Sequence, residues 1–156
     1  MTAGYFSHVL VPHDFTAAAD EALRTALALA ASEGGEVTVI HVIAPFYPLR
    51  DLAYGPHVLD PGTLEKRVLA RLERHVAQRC GRQPVRCTVT TGNPGQRIVD
   101  AAAGASCVVM STSGRTGAAH ALIGSVAERV VRFSPVPVFV LPSKRRTRAR
   151  RRSRGR

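Results

Sequence analysis

The sequence predicts an α/β protein built on an open, doubly wound parallel sheet of five strands, with helices on both faces. Five short apolar segments alternate along the chain with four segments of helical character. The second apolar segment, Val37 to Ile43, is almost continuously apolar, which is typical of a strand covered on both faces. Strands that alternate with helices form right-handed crossovers, and these produce a parallel sheet.

The amino-terminal third is predicted as a strand, a helix and a second strand. The strand Val9 to Val11 leads through a polar turn to Thr16, which we expect to cap the first helix. Gly34 and Gly35 are expected to end this helix. Its core face has the i, i+3, i+4, i+7 spacing of an amphipathic helix, at Leu23, Ala26, Leu27 and Ala30. The strand Val37 to Ile43 then completes the first β-α-β unit.

Residues 44–60 contain three prolines and form a connection longer than compact domains usually need. Two interpretations remain open, a segment that folds over a ligand and an insertion without a role. An apolar stripe then predicts the second helix, at Leu64, Val68, Leu69, Leu72 and Val76. The opposite side of this helix is expected to be a solvated cationic face, at Lys66, Arg67, Arg71 and Arg74.

The second half of the chain repeats the alternation. Val85 to Thr90 alternates apolar and polar residues, the pattern of a strand exposed on one side at a sheet edge. Asn93 is expected to cap a third helix, Gly95 to Ala103, with Pro94 at its first position. The remaining elements are predicted as a strand, a helix and a strand at Cys107 to Met110, Val126 to Phe133 and Val136 to Leu141.

Length and composition are those of one globular domain, assigned to residues 1–143 of the 156. No run of about 18 apolar residues occurs, and the first residues lack a basic and apolar leader, so we expect a cytoplasmic protein without membrane contact. The three cysteines form no C-x-x-C pair. We therefore expect reduced thiols, with neither a disulfide framework nor a metal site.

The net charge of +11 is concentrated at the carboxyl terminus. Residues 144–156 contain nine of the 22 basic residues and no acidic one, so the remaining 13 basic and 11 acidic residues give residues 1–143 a charge of only +2. A block of like charges in which Ala149 is the one apolar residue is expected to be disordered. Such a tail predicts at most non-specific contact with a polyanion through phosphate attraction, since it contains no aromatic residue for base stacking.

The stretch from Met110 to Ser125 has the order strand, glycine-bearing loop and helix start that a phosphate cradle needs. Gly114 and Gly117 allow close backbone approach to a ligand, and Gly124 precedes helix N–H groups that favour an anion. Ser125 also stands in S-x-x-E register with Glu128, so it is alternatively a simple N-cap whose hydroxyl accepts from the Glu128 amide. The two roles are compatible.

In a doubly wound sheet, ligands bind beyond the carboxyl ends of the strands where the strand order reverses. If the first and fourth strands are neighbours at that point, Asp14 and the Gly114 loop face one crevice. Two segments about 100 residues apart then form a single site.

Six segments, in the same order and with the same spacing, resemble the universal stress protein family. They are Val11 to Thr16, Ile40 to Val42, Gly92 to Pro94, Gly114 to Gly117, Gly124 to Val130 and Pro135 to Val138. The resemblance covers residues 6–142. It implies an adenine-nucleotide alpha-hydrolase-like fold with strand order 3-2-1-4-5, a homodimer formed through the last strand and, in one branch, ATP binding, with or without Mg²⁺.

The nucleotide-binding branch has the pattern G-x2-G-x9-G-[S/T], which falls here on Ser111, Gly114, Gly124 and Ser125. Ser111 departs from this pattern, because the family has glycine there. If that position requires positive φ or very close backbone approach, a side chain costs about 1–2 kcal/mol or blocks the phosphate. Ser113 also stands where family members commonly have histidine.

The resemblance assigns further site residues. Asp14 would meet the adenine or its ribose, Val42 would line the base pocket, and Gly114, Gly124 and Ser125 would hold phosphates. The alternative for Asp14 is a cap on the first helix turn. Arg115 is either a charge-assisted donor to phosphate oxygens or a solvent-facing cation.

No P-loop and no G-x-G-x-x-G pattern is present, and no spacing orients a nucleophile against a base. We therefore predict a stress-response module that binds ATP and is not an enzyme beyond weak ATP hydrolysis. One alternative is a nucleotide-free, dimeric interaction protein of the same fold, in which Ser111 marks the loss of the site. The other is anion or nucleic-acid binding through the arginine-rich tail.

Overall fold

The computed structural model describes residues 4–45, 61–112 and 124–142, and in these ranges strands and helices alternate as predicted. The strands are β1 (His8–Pro12), β2 (Glu36–Ile43), β3 (Val85–Thr91), β4 (Cys107–Ser111) and β5 (Val138–Leu141). The helices are α1 (Ala17–Glu33), α2 (Pro61–Cys80), α3 (Pro94–Ala102) and α4 (Ser125–Phe133). Most of the long connection, the loop that contains Gly114, and the basic tail lie outside the described residues.

The five strands form one parallel sheet in the order β3-β2-β1-β4-β5. Val9 of β1 is in register with Val37 of β2 on one side and with Cys107 of β4 on the other. Successive strands β2 and β3 lie on one side of β1, and β4 and β5 lie on the other side. The strand order therefore reverses at the boundary between β1 and β4. This confirms the predicted fold class and strand order, and it places β3 at a sheet edge as expected.

Strand alternation directs side chains into two cores, one on each face of the sheet. Odd-numbered strand residues such as Val9 and Val109 pack with Leu23 of α1 and Leu72 of α2. The opposite core joins α3 and α4 to strand residues of even number, including Leu10, Ile40, Val108 and Met110. Leu23 and Leu72 are fully buried, and each such burial stabilises the fold by about 1.5–3 kcal/mol.

The predicted helix caps of the first and third helices are confirmed. Thr16 accepts from the Ala19 N–H through its hydroxyl at 3.2 Å, so it occupies one of the unpaired donors at the start of α1. At the other end, Gly34 has φ +66°, a conformation that glycine adopts without the Cβ clash of other residues. Asn93 caps α3 in the same manner as Thr16, by accepting from Gln96 N–H at 3.1 Å.

Two local predictions are wrong. Ser125 is not the N-cap of the last helix, because Gly124 occupies that position in extended conformation and Ser125 is the first helical residue. The Glu128 N–H consequently donates to the Gly124 carbonyl at 2.9 Å instead of to the Ser125 hydroxyl. The last strand begins at Val138 and not at Val136, since Ser134 and Val136 form a local turn in which Ser134 Oγ accepts from Val136 N–H.

The second helix is buried only over its carboxyl-terminal half. Leu72 and Val76 are in the core, whereas 36% of Leu64 is exposed. The cationic face is also less uniform than predicted, because the guanidinium carbon of Arg71 lies 4.4 Å from the ring centroid of Phe15. Cation–π contact therefore brings α2 against the loop between β1 and α1.

No helix in the described part of the chain is long and apolar enough to span a bilayer. The three cysteines are free thiols. Burial, followed by the charge of Glu73, raises the pKa of Cys87 to about 11, so this thiol is protonated at neutral pH and is a weak nucleophile.

Candidate functional site

A cleft of about 720 Å³ lies at the carboxyl ends of β1, β2 and β4. This volume is within the range of small-molecule sites in proteins. Its walls come from the end of β1 and the following loop, the end of β2, the start of α3, the end of β4 and the start of α4. The cleft therefore occupies the position where the strand order reverses, which is the ligand-binding position of doubly wound sheets.

Five of the eight residues that the sequence assigns to a nucleotide site line this cleft. They are Asp14, Val42, Ser111, Gly124 and Ser125. The other three, Gly114, Arg115 and Gly117, lie outside the described residues. Segments separated by about 100 positions in the chain thus meet at one cleft, as the crevice argument predicted for β1 and β4.

The loop after β1 holds Asp14 in a defined position. One Asp14 carboxylate oxygen accepts from the Thr16 N–H at 3.1 Å and from the Thr16 hydroxyl. Thr16, and not Asp14, caps α1, so the alternative role of Asp14 as the helix cap is excluded. Asp14 stabilises the turn before the helix and is itself exposed in the cleft.

Phe15 adopts φ +64°, although residues with a Cβ rarely enter this left-handed region. The conformation costs about 1–2 kcal/mol and must be stabilised by the surroundings. The Phe15 N–H donates to Nδ1 of His13 at 3.1 Å, and the Phe15 ring packs against His13, His41 and His75. These contacts fix the backbone on both sides of Asp14.

His13 in turn is anchored by Asp20. The His13 side chain is fully buried, and its Nε2 lies 3.1 Å from Oδ1 of Asp20. Since Nδ1 accepts from Phe15, the proton of the neutral ring is on Nε2 and is donated to Asp20. The same Asp20 oxygen receives hydrogen bonds from Nε2 of His75 at 2.7 Å and Nε of Arg79 at 2.8 Å. We call His13, Asp20, His75 and Arg79 the Asp20 cluster.

The protonation states in the Asp20 cluster follow from burial and charge. Burial lowers the pKa of His13 and outweighs the opposite effect of the Asp20 carboxylate, so the ring is neutral at pH 7. Burial raises the pKa of Asp20, but the hydrogen bond from His75 and the charge of Arg79 lower it more. Asp20 is therefore an anion, and its pKa lies below the ordinary value.

His13, Asp20 and His75 bring three ligand atoms within 4.8 Å of one another, a spacing that a metal ion could bridge. Two observations oppose that role. The Arg79 guanidinium occupies the same Asp20 oxygen. A metal on Nε2 of His13 would also require a proton on Nδ1, which faces the Phe15 N–H donor. The chemistry of this donor set fits a hydrogen-bonded support and not a metal centre.

The start of α4 presents backbone donors to the cleft. The first N–H groups of an α-helix have no partner within the helix, and the N-cap Gly124 supplies no side-chain oxygen to them. The helix dipole adds positive potential at the same point. Gly124 and Ser125 both line the cleft, so an anionic group could be bound here.

Sequence reasoning missed the Asp20 cluster and the wall that α3 supplies. Positions 13, 20 and 75 lie on different elements, and no local spacing relates them. Pro94 and Ile98 line the cleft, but in the sequence they have the appearance of an ordinary helix start and core residue. One sequence signal for this wall was available. Asn93 and Pro94 mark a helix that starts directly after β3, and the carboxyl end of a strand lies at the same edge of the sheet as the cleft.

A parallel sheet with its cleft at the strand-order reversal defines the doubly wound class of α/β ligand-binding domains. A sequence model of the universal stress protein family matches residues 6–142. The chain belongs to the universal stress protein family, in agreement with the resemblance of its six motifs. It is 30% identical over 142 residues to a universal stress protein of Methanocaldococcus jannaschii, a match that covers 87% of this chain and 82% of the relative.

Solved structures give the same result. The universal stress protein UspA from Lactobacillus plantarum superimposes with a TM-score of 0.61 at 25% identity, over 87% of this chain and 97% of that protein. A universal stress protein from Archaeoglobus fulgidus, solved in complex with dAMP, has a TM-score of 0.58 at 22% identity, over 85% of this chain and 94% of that protein. The second likeness is one of fold.

Proposed function

We propose that this chain binds ATP in the cleft at the carboxyl ends of β1, β2 and β4 and acts as a nucleotide-dependent stress-response module of the cytoplasm. The observation that carries the proposal is the meeting of Asp14, Val42, Ser111, Gly124 and Ser125 at one cleft. The dAMP complex of the Archaeoglobus protein supports an adenine nucleotide as the ligand of this fold.

In this proposal the base and ribose bind at one end of the cleft and the phosphates bind at the other. Val42 and Ile40 supply apolar surface at the end of β2 for the base, and Asp14 offers a carboxylate acceptor to the ribose hydroxyls or the adenine amino group. Gly124 and Ser125 offer N–H groups to the phosphates. In this proposal, Gly114, Arg115 and Gly117 add donors from the loop after β4, and Mg²⁺ accompanies the triphosphate.

Binding without efficient catalysis fits the contacts of His13, one of the two histidines that line the cleft. A general base needs a nitrogen that is free to take a proton from water or a hydroxyl. Both ring nitrogens of His13 are occupied by Phe15 and Asp20, and the ring is buried. His13 therefore positions the loop of Asp14 and does not activate a nucleophile.

Isothermal titration of the purified chain with Mg-ATP tests the proposal, together with analysis of any nucleotide released on denaturation. We expect saturable heat at one site per chain and an adenine nucleotide in the released fraction. Absence of both would reject ATP binding. ADP and AMP are titrated in parallel, because the cleft recognises the adenosine part in all three.

A second function is a dimeric interaction protein that works without nucleotide. Phe139 of β5 and Phe133 at the end of α4 expose 39% and 56% of their surface. Large exposed apolar side chains, and the edge that β5 leaves unpaired in the described sheet, favour a partner. Both functions share a homodimer formed through β5. They differ in the titration, since this second function predicts no heat with any adenine nucleotide.

A further inference from the structure

Ser111 combines burial with a hydroxyl that has no hydrogen-bond partner among the described residues. Only 9% of the residue is exposed, and it lines the cleft at the end of β4. No residue in the described ranges hydrogen-bonds to its hydroxyl, and the same ranges contain no fully buried side-chain oxygen that lacks a partner. The hydroxyl oxygen is therefore not fully buried, and the residue that carries it lines the cleft.

The backbone at Ser111 carries no strain. Ser111 pairs in register with Leu141 as the last residue of β4, and among the described residues only Phe15 has positive φ without being glycine. The penalty for a side chain at this position of the family pattern therefore does not apply. The cleft also retains its volume of about 720 Å³ with the serine present.

The side chain points toward the face of the sheet that carries α1. Strand residues alternate between faces, and Cys107 and Val109 of β4 belong to the core with α1 and α2. Ser111 continues that odd-numbered series beside the loop that holds Asp14. Gly124 and α4 stand on the opposite face, so the Ser111 hydroxyl and the N–H groups of α4 approach a ligand from two sides.

The strand order fixes which part of a nucleotide passes Ser111. In the proposed function the base lies against Val42 at the end of β2, and β1 separates β2 from β4. Two strand spacings amount to about 10 Å, which is comparable to the extent of adenine plus ribose. A nucleotide that lies from Val42 toward the start of α4 consequently brings its 5′-phosphate to the end of β4.

We propose that the Ser111 hydroxyl donates a hydrogen bond to the α-phosphate of the bound adenosine nucleotide. This inference rests on the proposed nucleotide binding and specifies its chemistry: AMP, ADP and ATP all carry the group that Ser111 recognises, and adenosine does not. The N–H groups of α4 then serve the phosphates beyond it. Under this proposal, the serine that replaces the family's glycine adds one hydrogen-bond donor to the nucleotide site and does not abolish the site.

The test compares wild type, S111A and S111G by titration with adenosine, AMP, ADP and ATP. We expect S111A to weaken binding of AMP, ADP and ATP by a common factor of about ten, because a hydrogen bond to a charged group is lost, and to leave adenosine unchanged. S111G should lose at least as much. S32A is the matched control, since Ser32 is exposed in the last turn of α1 and its hydroxyl donates only within that helix.

Equal affinities of wild type and S111A for all three phosphates would overturn the inference and leave the proposed function intact. Tighter binding by S111G than by wild type would show that the serine obstructs the phosphate, which also overturns it. If wild type binds none of the four ligands, the proposed function itself fails. Thermal unfolding of each variant, with midpoints matching wild type, confirms that affinity and not folding has changed.

Discussion

Nδ1 of His13 accepts the backbone N–H of Phe15 at 3.1 Å, and Phe15 is the described non-glycine residue with positive φ. The unprotonated Nδ1 of His13 thus stabilises a turn in which Phe15 has a backbone conformation that residues with a Cβ disfavour. Asp14 lies between the two residues, so the position of a cleft carboxylate depends on the protonation state of a buried imidazole.

The first prediction concerns acid stability. Burial lowers the pKa of His13 from its ordinary value of 6.5, so below pH 6.5 the unfolded chain binds a proton that the folded chain does not. The contribution of His13 to the free energy of unfolding is complete above pH 6.5 and is lost as the pH falls toward its folded pKa. Asp20, with a pKa lowered from 3.8, adds a second loss below pH 3.8. Urea denaturation between pH 7.5 and 3 measures both losses.

The second prediction assigns the first loss to His13. The Oδ1 atom of asparagine can accept from the Phe15 N–H but does not titrate, so H13N should remove the pH dependence that begins near 6.5. The variant should be less stable than wild type at pH 7.5 by about 1–3 kcal/mol, because the Asp20 contact is weakened. H8N is the control, since His8 lies at the amino-terminal end of the sheet. An unchanged pH profile in H13N would contradict the assignment.

The third prediction concerns the start of α4. Gly124 has φ −58° and ψ 151°, a conformation that valine also adopts, so G124V should fold. A branched side chain at the N-cap would block close approach of phosphate to the helix N–H groups, and we expect binding of Mg-ATP to fall below detection in calorimetry. G104V serves as control, because a Cβ at Gly104 meets only an ordinary contact, 3.8 Å from the Ala101 carbonyl oxygen. Retained affinity in G124V would remove α4 from the site.

The fourth prediction concerns assembly. Within the described sheet, β5 pairs with β4 and its other edge is open. We expect a homodimer in sedimentation equilibrium at micromolar concentration, and monomers for F139E, since a charge in an apolar interface is costly to desolvate. L64E changes a similarly exposed residue on α2 and should leave the dimer intact. A wild-type monomer at these concentrations would refute the β5 interface.

The fifth prediction separates the basic tail from the domain. A chain that stops at Ser143 loses nine positive charges, and its net charge falls from +11 to +2. If the tail binds polyanions, the full chain should bind duplex DNA with a slope of log affinity against log salt of about −0.9 for each phosphate neutralised. The shortened chain should lose this binding and keep its ATP affinity. Equal DNA binding by both chains would rule out the tail.

The fold could be predicted because it depends on features that are local in sequence. Alternating apolar segments, Thr16, Asn93 and Gly34 each act within a few residues, and the structure confirms them. The helix start at Ser125 could not be fixed to the residue, because Gly124 and Ser125 are both acceptable N-caps and tertiary packing decides between them.

The site could be predicted only where it coincides with a local motif. Asp14, Ser111 and Gly124 follow or precede strands and helices, so topology brings them together at the sheet edge. The contact of His13 with Asp20 depends on how α1 and α2 are placed against β1, and that placement is determined by packing of the two cores. No spacing in the chain encodes it.

Three donors share one carboxylate oxygen of Asp20, so the four positions of the Asp20 cluster are expected to evolve together. A relative that replaces Asp20 with an apolar residue removes the shared acceptor of His13, His75 and Arg79 at once. The donor of the fully buried His13 then loses its partner, which is costly. Substitutions at these four sites should therefore be epistatic and should co-vary among homologues. Asp20, His75 and Arg79, which do not line the cleft, would then constrain how freely it can diverge.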